Sequence, residues 1–404
     1  MRSSNRARVI TRSSAMVAAA AALAGCSVVA PKPPPPPPQV TGQTTGADLS
    51  PSGPARLDVA HSHLNQVTLT SADGEQVPGQ LSPDGQHWTA SEPLEFGTRY
   101  TWAGTANGPA GHLPVQGSFS TVDPKKQTHA MVNIADGQQV GVAAPIIIRF
   151  DEHVEDRAAA ERALQVHTSV PTEGSWAWLP DTPQGSAVHW RPKEYWKPGT
   201  AVTVDAPLYG VDYGEGNFGR ENLTSHFTIG RSQVVKADVS SHKLVVERDG
   251  QPAESYDASY GLASDPDRNT SSGIHVVSGK QSQVRMISPR YHYDQVEKWA
   301  TRISNNGEFI HANPATTGSQ GSSNVTHGCV NLSTSDAKKY FDSALYGDPV
   351  EVTGTGKQLS EQDGDIYDWT IPWDQWKSMS ALAPPPPKQQ PAPATNLDAK
   401  QPPR

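Results

Sequence analysis

Cysteine is nearly absent from this chain: its 404 residues contain only Cys26 and Cys329. Cys329 lies in the stretch Val325-Thr-His-Gly-Cys-Val-Asn-Leu-Ser333, directly after a His-Gly pair and two residues before Asn331. A thiol at its ordinary pKa of about 8.5 is only slightly ionised at neutral pH, and the thiolate is the nucleophile, so a reactive cysteine needs an imidazole nearby. Two histidines precede it: His327, two residues upstream, and His311, eighteen upstream in the run Glu308-Phe-Ile-His-Ala312. A residue two away in an extended chain faces the same side, so His327 can shape the site. A base that carries a proton must reach the sulfur from another strand, which favours His311. Gly328 has no side chain, which lets the N–H groups of this turn point at a developing oxyanion. The Asn331 amide can orient a neighbour or bind substrate. These residues read as a Cys-His acyl-transfer site; the alternative is a buried structural cysteine beside two hydrogen-bonded histidines.

The second cysteine belongs to a different context. Arg2, Arg6, Arg8 and Arg12 precede a small, apolar run from Ala15 to Ala24, the layout of a secretory signal. That run is well short of the roughly 20 residues a spanning helix needs. Leu23-Ala24-Gly25-Cys26 has the form of a bacterial lipobox, which predicts cleavage before Cys26, acylation of its thiol and a lipid anchor on the extracytoplasmic face of the cell membrane. Cys329 is then a lone thiol in an exported protein, where cysteines more often pair as disulfides, and this argues for chemistry.

The elements that must position these groups are mostly strands. With 36 prolines and 34 glycines against 35% hydrophobic residues, the chain favours turn-rich β modules over a helical bundle. The net charge of −8 and the lack of a Lys/Arg cluster beyond the leader exclude nucleic acid as a natural partner. After the signal at 1–25, residues 26–53 read as the lipidated cysteine and a proline-rich linker. Residues 54–123 and 124–231 read as two immunoglobulin-like β-sandwiches, from short alternating strands broken by Asp-Gly and Pro-Gly turns. A β-rich third module spans 232–354. In it Asp249-Gly250 predicts a hairpin turn. Ser333 to Asp336 predicts a helix start, with Ala337, Tyr340, Phe341, Ala344 and Leu345 on one face until Gly347 and Pro349 end it. Residues 355–382 are a Trp-rich segment in which Trp369, Trp373 and Trp376 suggest a latch against the third module, and 383–404 form a proline-rich tail predicted to be disordered.

The motif His-Gly-Cys-Val-Asn-Leu-Ser, with a second histidine eighteen residues before the cysteine, resembles the signature of the YkuD-type L,D-transpeptidase catalytic domain. The anchor, the two immunoglobulin-like modules and the Trp-rich segment resemble actinobacterial lipoprotein members of that family. The resemblance implies a mainly β fold, with one or two helices in the catalytic domain, and a cysteine-dependent peptidoglycan cross-linking enzyme that needs no cofactor or metal. It implies Cys329 as nucleophile and His311 as base, paired to the Ala312 main-chain carbonyl, with His327, Gly328 and Asn331 in the shell. Thr326 stands where many relatives have Ser. Tyr293 and Met286 fall at positions of a lid over the active site, the tyrosine helping to bind substrate and steady the oxyanion. The implied reaction releases D-Ala from a tetrapeptide stem through a thioester and forms a 3→3 cross-link; the alternatives are an L,D-carboxypeptidase at the same site, with water as acceptor, and a non-catalytic cell-wall-binding lipoprotein. Implied partners are peptidoglycan stem peptides and, as covalent inhibitors, carbapenem β-lactams. Ala315 replaces an aromatic found in some relatives, which predicts a more open donor pocket.

Other signals carry less. Gly214 to Gly219 fits a dinucleotide-binding glycine pattern, but no helix is expected after it, and a hairpin loop is the better reading. His61 and His63 lack a third ligand at metal-binding spacing. The Asp265-to-Gly273 stretch has Thr270 where a calcium loop requires glycine, and reads as a loop entering a strand.

Overall fold

The computed structural model describes residues 32–363 and 366–385. Residues 1–31, which hold the expected signal and Cys26, and the tail from residue 386 onward lie outside the described residues. Among the described residues no helix is long and apolar enough to cross a membrane.

The first module is a sandwich of two four-stranded sheets around Leu57, Leu69, Trp88, Trp102 and Phe119. It starts earlier than its turns suggest. Gln39–Gln43 pairs antiparallel with Arg56–Ala60, and Gly46–Leu49 pairs parallel with Gly111–Thr121, so each sheet takes an edge strand from the stretch expected to be linker. Trp102 explains this: its indole N–H donates to the Thr44 carbonyl at 3.1 Å, and Val40 and Leu49 pack on the core. The Pro/Thr/Gly composition conceals a β-capable stretch, because a buried tryptophan needs a hydrogen-bond acceptor at its polar end.

The second module repeats the plan with two four-stranded sheets over Ile146, Ile148, Trp178, Trp190, Val204 and Phe227. The Gly214 to Gly219 stretch ends in the short strand Asn217–Gly219, paired with Lys126–Thr128, and no helix follows.

The third module has two sheets. In the first, Gln233–Asp238 is central and runs parallel to Pro349–Thr353. Lys243–Arg248 and Gln251–Asp257 form the predicted hairpin, with Asp249 and Gly250 at φ 51° and 75°, the left-handed pair that matches strand twist in a two-residue turn. The second sheet runs Gly279–Ser288, Tyr293–Arg302, Phe309–Ala312, Val330–Leu332. The helix Thr334–Ser343 starts where Ser333 accepts the Asp336 N–H at 3.1 Å, and it buries Ala337 and Tyr340 against both sheets.

The Trp-rich segment does not latch onto the third module as expected. It packs mainly on the second: Trp376 is fully buried with Ala177 and Leu179, and its indole N–H donates to Ser175 O at 2.9 Å. Trp369, Trp373 and Trp376 surround the Arg191 guanidinium at 4.7, 5.2 and 4.7 Å from their ring centres. A cation desolvated by three indoles is a stronger anchor than apolar contact alone. Because Leu359 N–H donates to Ser272 O, the segment straps the third module to the second.

Candidate active site

The parallel pairing of Phe309–Ala312 with Val330–Leu332 sets His311 opposite Asn331. Residues alternate between faces along a strand. Ile310, Ala312, Val330 and Leu332 therefore enter the core, while His311 and Asn331 turn to the other face, where Cys329 joins them. Side chains eighteen residues apart in sequence become neighbours through one crossover.

His311 is buried, and its Nδ1–H donates to the Ala312 carbonyl at 2.9 Å, the partner the resemblance implies. The other ring nitrogen is left for Cys329, which lines the same cleft. The sulfur also lies 3.5 Å from the Gly307 carbonyl. Glu297 Oε2 stands 3.5 Å from His311 Nδ1. Burial pulls this imidazole down, but hydrogen bonds to Cys329 and Glu297, and their negative charges, outweigh it and push it up to about 10. At neutral pH the sulfur thus has a cation beside it, the electrostatic setting that cysteine nucleophiles use.

The turn before the cysteine is bent, not extended. Gly328 has φ 116°, a conformation that an L side chain rarely adopts. The bend is held by Thr270 Oγ–H donating to Gly328 O at 2.9 Å, by Thr326 Oγ–H donating to Cys329 O at 2.6 Å, and by Arg268 donating to the Val325 and Thr326 carbonyls. Two expectations change as a result. His327 is carried to the rim, where its ring packs 4.6 Å from Tyr291 and 5.4 Å from Tyr293 between ring centres. Burial, then the Arg268 charge, lowers its pKa, so it stays neutral. The Gly328 N–H faces Thr326 Oγ1 at 3.3 Å instead of an oxyanion.

A hairpin, Gly279–Ser288 with Tyr293–Arg302, covers the site. Met286 and Tyr293 face inward, as expected of lid residues, and line the clefts on both sides of Cys329. Burial, then the Cys329 and Glu297 charges, raises the Tyr293 phenol, which keeps it protonated and able to donate a hydrogen bond within the clefts it shares with Cys329. One cleft, of about 340 Å³, is bounded by Asn269, Arg285, Gly307 and Glu308; the other, of about 250 Å³, by Gln295, Glu297, His311, Ala315, Thr316 and Asn331. Ala315 leaves the wall of this second cleft low. Asn331 donates to Thr316 Oγ1 at 3.3 Å, while its buried Oδ1 has no partner among the described residues. The sequence reading missed Glu297 and Tyr291. Period-two alternation from Tyr293 through Gln295 would have put Glu297 on the inward face.

Comparison with known proteins places these features in a family. The L,D-transpeptidase catalytic domain model matches residues 232–352, and the bacterial Ig domain model matches 46–212. Among curated relatives, L,D-transpeptidase 5 of Mycobacterium tuberculosis is 52% identical over 84% of this chain and 76% of its own length. L,D-transpeptidase 2 of the same species is 40% identical over 84% of both chains. A solved L,D-transpeptidase in complex with imipenem is 34% identical, with 57% of this chain and all of that one aligned, at a TM-score of 0.48. The matched catalytic module and the extent of the two curated alignments establish that this chain belongs to the L,D-transpeptidase family, whose members work through a cysteine.

Proposed function

We propose that Cys329 and His311 carry out L,D-transpeptidation on peptidoglycan stem peptides through a thioester. The observation that carries this reading is one sulfur at the junction of two clefts, sharing one of them with a buried imidazole whose Nδ1–H is held by the Ala312 carbonyl. Two clefts meeting at one nucleophile fit a reaction that joins two substrates. The Cys329 thiolate attacks the carbonyl that precedes the terminal D-Ala of a tetrapeptide stem. The Tyr293 hydroxyl donates to the oxyanion, and His311 gives its proton to the leaving nitrogen, releasing D-Ala. The side-chain amine of a second stem then attacks the thioester, His311 takes the amine proton, and the thiolate departs, leaving a 3→3 cross-link. Water in place of the amine would make the product of an L,D-carboxypeptidase. A carbapenem offers the thiolate a strained acyl group and would stop at the adduct.

The test is incubation of the soluble ectodomain with disaccharide-tetrapeptide and mass spectrometry of the products. Dimers that have lost one D-Ala support transpeptidation; tripeptide monomers alone indicate the carboxypeptidase; unchanged substrate refutes both. We also propose that Cys26 carries a lipid anchor that places the enzyme at the outer face of the cell membrane, on the support of the basic, apolar and Leu-Ala-Gly-Cys segments. Cys26→Ser should then leave the membrane fraction, and continued membrane partitioning would count against the anchor.

A further inference from the structure

We propose that Glu297 is a positioning residue for this cysteine chemistry: its carboxylate, 3.5 Å from the outer nitrogen of His311, holds the ring charged and aligned on the Cys329 sulfur. The inference rests on the Cys329–His311 reading and adds a third group to it.

The argument starts from what the Ala312 carbonyl can do. At 2.9 Å it receives the Nδ1–H and fixes the plane of the ring. It is a neutral dipole, however, and cannot offset a full positive charge on a ring that the fold buries. Glu297 supplies that charge. It is 9% exposed and lies in the same cleft as His311 and Cys329. Tyr291, Tyr293 and His327 are the other titratable groups lining that cleft, and Glu297 is its one carboxylate. Two phenols and a neutral imidazole leave nothing else there to balance the His311 cation except the thiolate itself.

The backbone places the carboxylate with purpose. Tyr293–Arg302 pairs with Phe309–Ala312 in register at Lys298–Ala312, then shifts, so that Trp299 and Ala300 stand opposite His311 alone. Trp299 sits at φ 54°, and its ring is tucked 5.5 Å from Phe341 between ring centres. A bulge adds one residue and re-aims its neighbours. Here it begins two residues after Glu297, on the strand flanking the base. A carboxylate that served only to tie the hairpin down would have a cation elsewhere in the fold as partner. The one ion pair found for Glu297 among the described residues is with the imidazole.

The electrostatics predict a distinctive signature. Acylation needs a thiolate and a protonated imidazole together, so its rate follows a bell-shaped pH profile. Removing a nearby negative charge makes both protons easier to lose, and both limbs move to lower pH. The alkaline limb, governed by His311, should move by about one unit or more in Glu297→Gln. On the alkaline side the rate falls roughly tenfold.

The experiment is the second-order rate of acylation by a carbapenem, followed by adduct mass, from acid to alkaline pH. It compares the wild-type ectodomain with Cys329→Ala, Glu297→Gln and Glu297→Asp. Displaced limbs in the Gln variant, partly restored in the Asp variant, support the assignment. A uniform loss with both limbs in place, or no change, overturns it and leaves Glu297 a packing residue. If circular dichroism shows the Gln variant unfolded, Glu297→Met is judged by the same criterion. Adduct on Cys329→Ala, or none on wild type, would overturn the parent reading instead.

Discussion

Among the buried histidine–carboxylate pairs of the described residues, two stand in contrasting surroundings. In the second module, His189 Nδ1 lies 3.1 and 3.0 Å from the two oxygens of Asp368, with both side chains shut away from solvent. In the third module, His311 Nδ1 lies 3.5 Å from Glu297 beside a cleft. The chemistry of the pair is the same, and the surroundings decide its use. His189 and Asp368 join two distant stretches of chain, and the pair serves as a clamp for the Trp-rich strap. His311 has its hydrogen-bonded carbonyl on one side and a thiol on the other, so its charge is available to a nucleophile. A buried pair becomes catalytic when one of its members also faces a reactive atom and space for a substrate.

That contrast can be broken at four points. The largest effect belongs to Cys329→Ala, which should abolish carbapenem adduct formation, read by intact mass, while leaving the unfolding midpoint nearly unchanged. Next is Asp368→Ala. Removing one partner of a buried pair should cost about 3–5 kcal/mol in denaturant unfolding. The acylation rate of the molecules that stay folded should be unaltered. A loss of chemistry without a loss of stability in that variant would erase the distinction between clamp and catalyst. Third, Tyr293→Phe keeps the ring against His327 and removes only the phenol, so acylation should slow by roughly tenfold or more through loss of one oxyanion donor. An unchanged rate would take Tyr293 out of the chemistry.

The fourth point is stability against pH. His311 moves from an ordinary 6.5 to about 10 in the fold. A proton bound more tightly by the native state stabilises it. That contribution is complete below pH 6.5 and is lost as the pH rises through about 10. The difference in unfolding free energy between wild type and His311→Gln should shrink across this window, measured by urea titration at successive pH values. A difference that grows with pH would contradict the charged state assigned to the ring.

Much of the site was legible because it is local. Gly328, Cys329 and Asn331 lie within one turn and one strand, and the Ser333 cap and the Asp249-Gly250 hairpin are also short-range patterns. His311 could be selected because a base must come from another strand. The role of His327 was harder to read, since an extended chain was assumed where Gly328 bends it. Glu297 was passed over because alternation from Tyr293 gives its face but not its neighbour; the register of the adjoining strand is what brings it to His311. The strap was misplaced for a related reason. Helix-like tryptophan spacing announces an apolar face but not the surface it will meet, and Arg191 lies far away in sequence.

By itself, the sequence determined a lone thiol in a His-Gly-Cys-x-Asn turn, a β-rich chain of three modules and the short-range turns and caps that shape them. These depend on backbone preference and residue chemistry over a few positions. Tertiary structure alone decided that the first module begins at Gln39, that the tryptophans close on the second module, and that the Glu297 carboxylate stands 3.5 Å from the His311 ring. Each of these needs partners brought together from distant stretches of chain, and pairing at that range is settled by the burial and register of whole sheets.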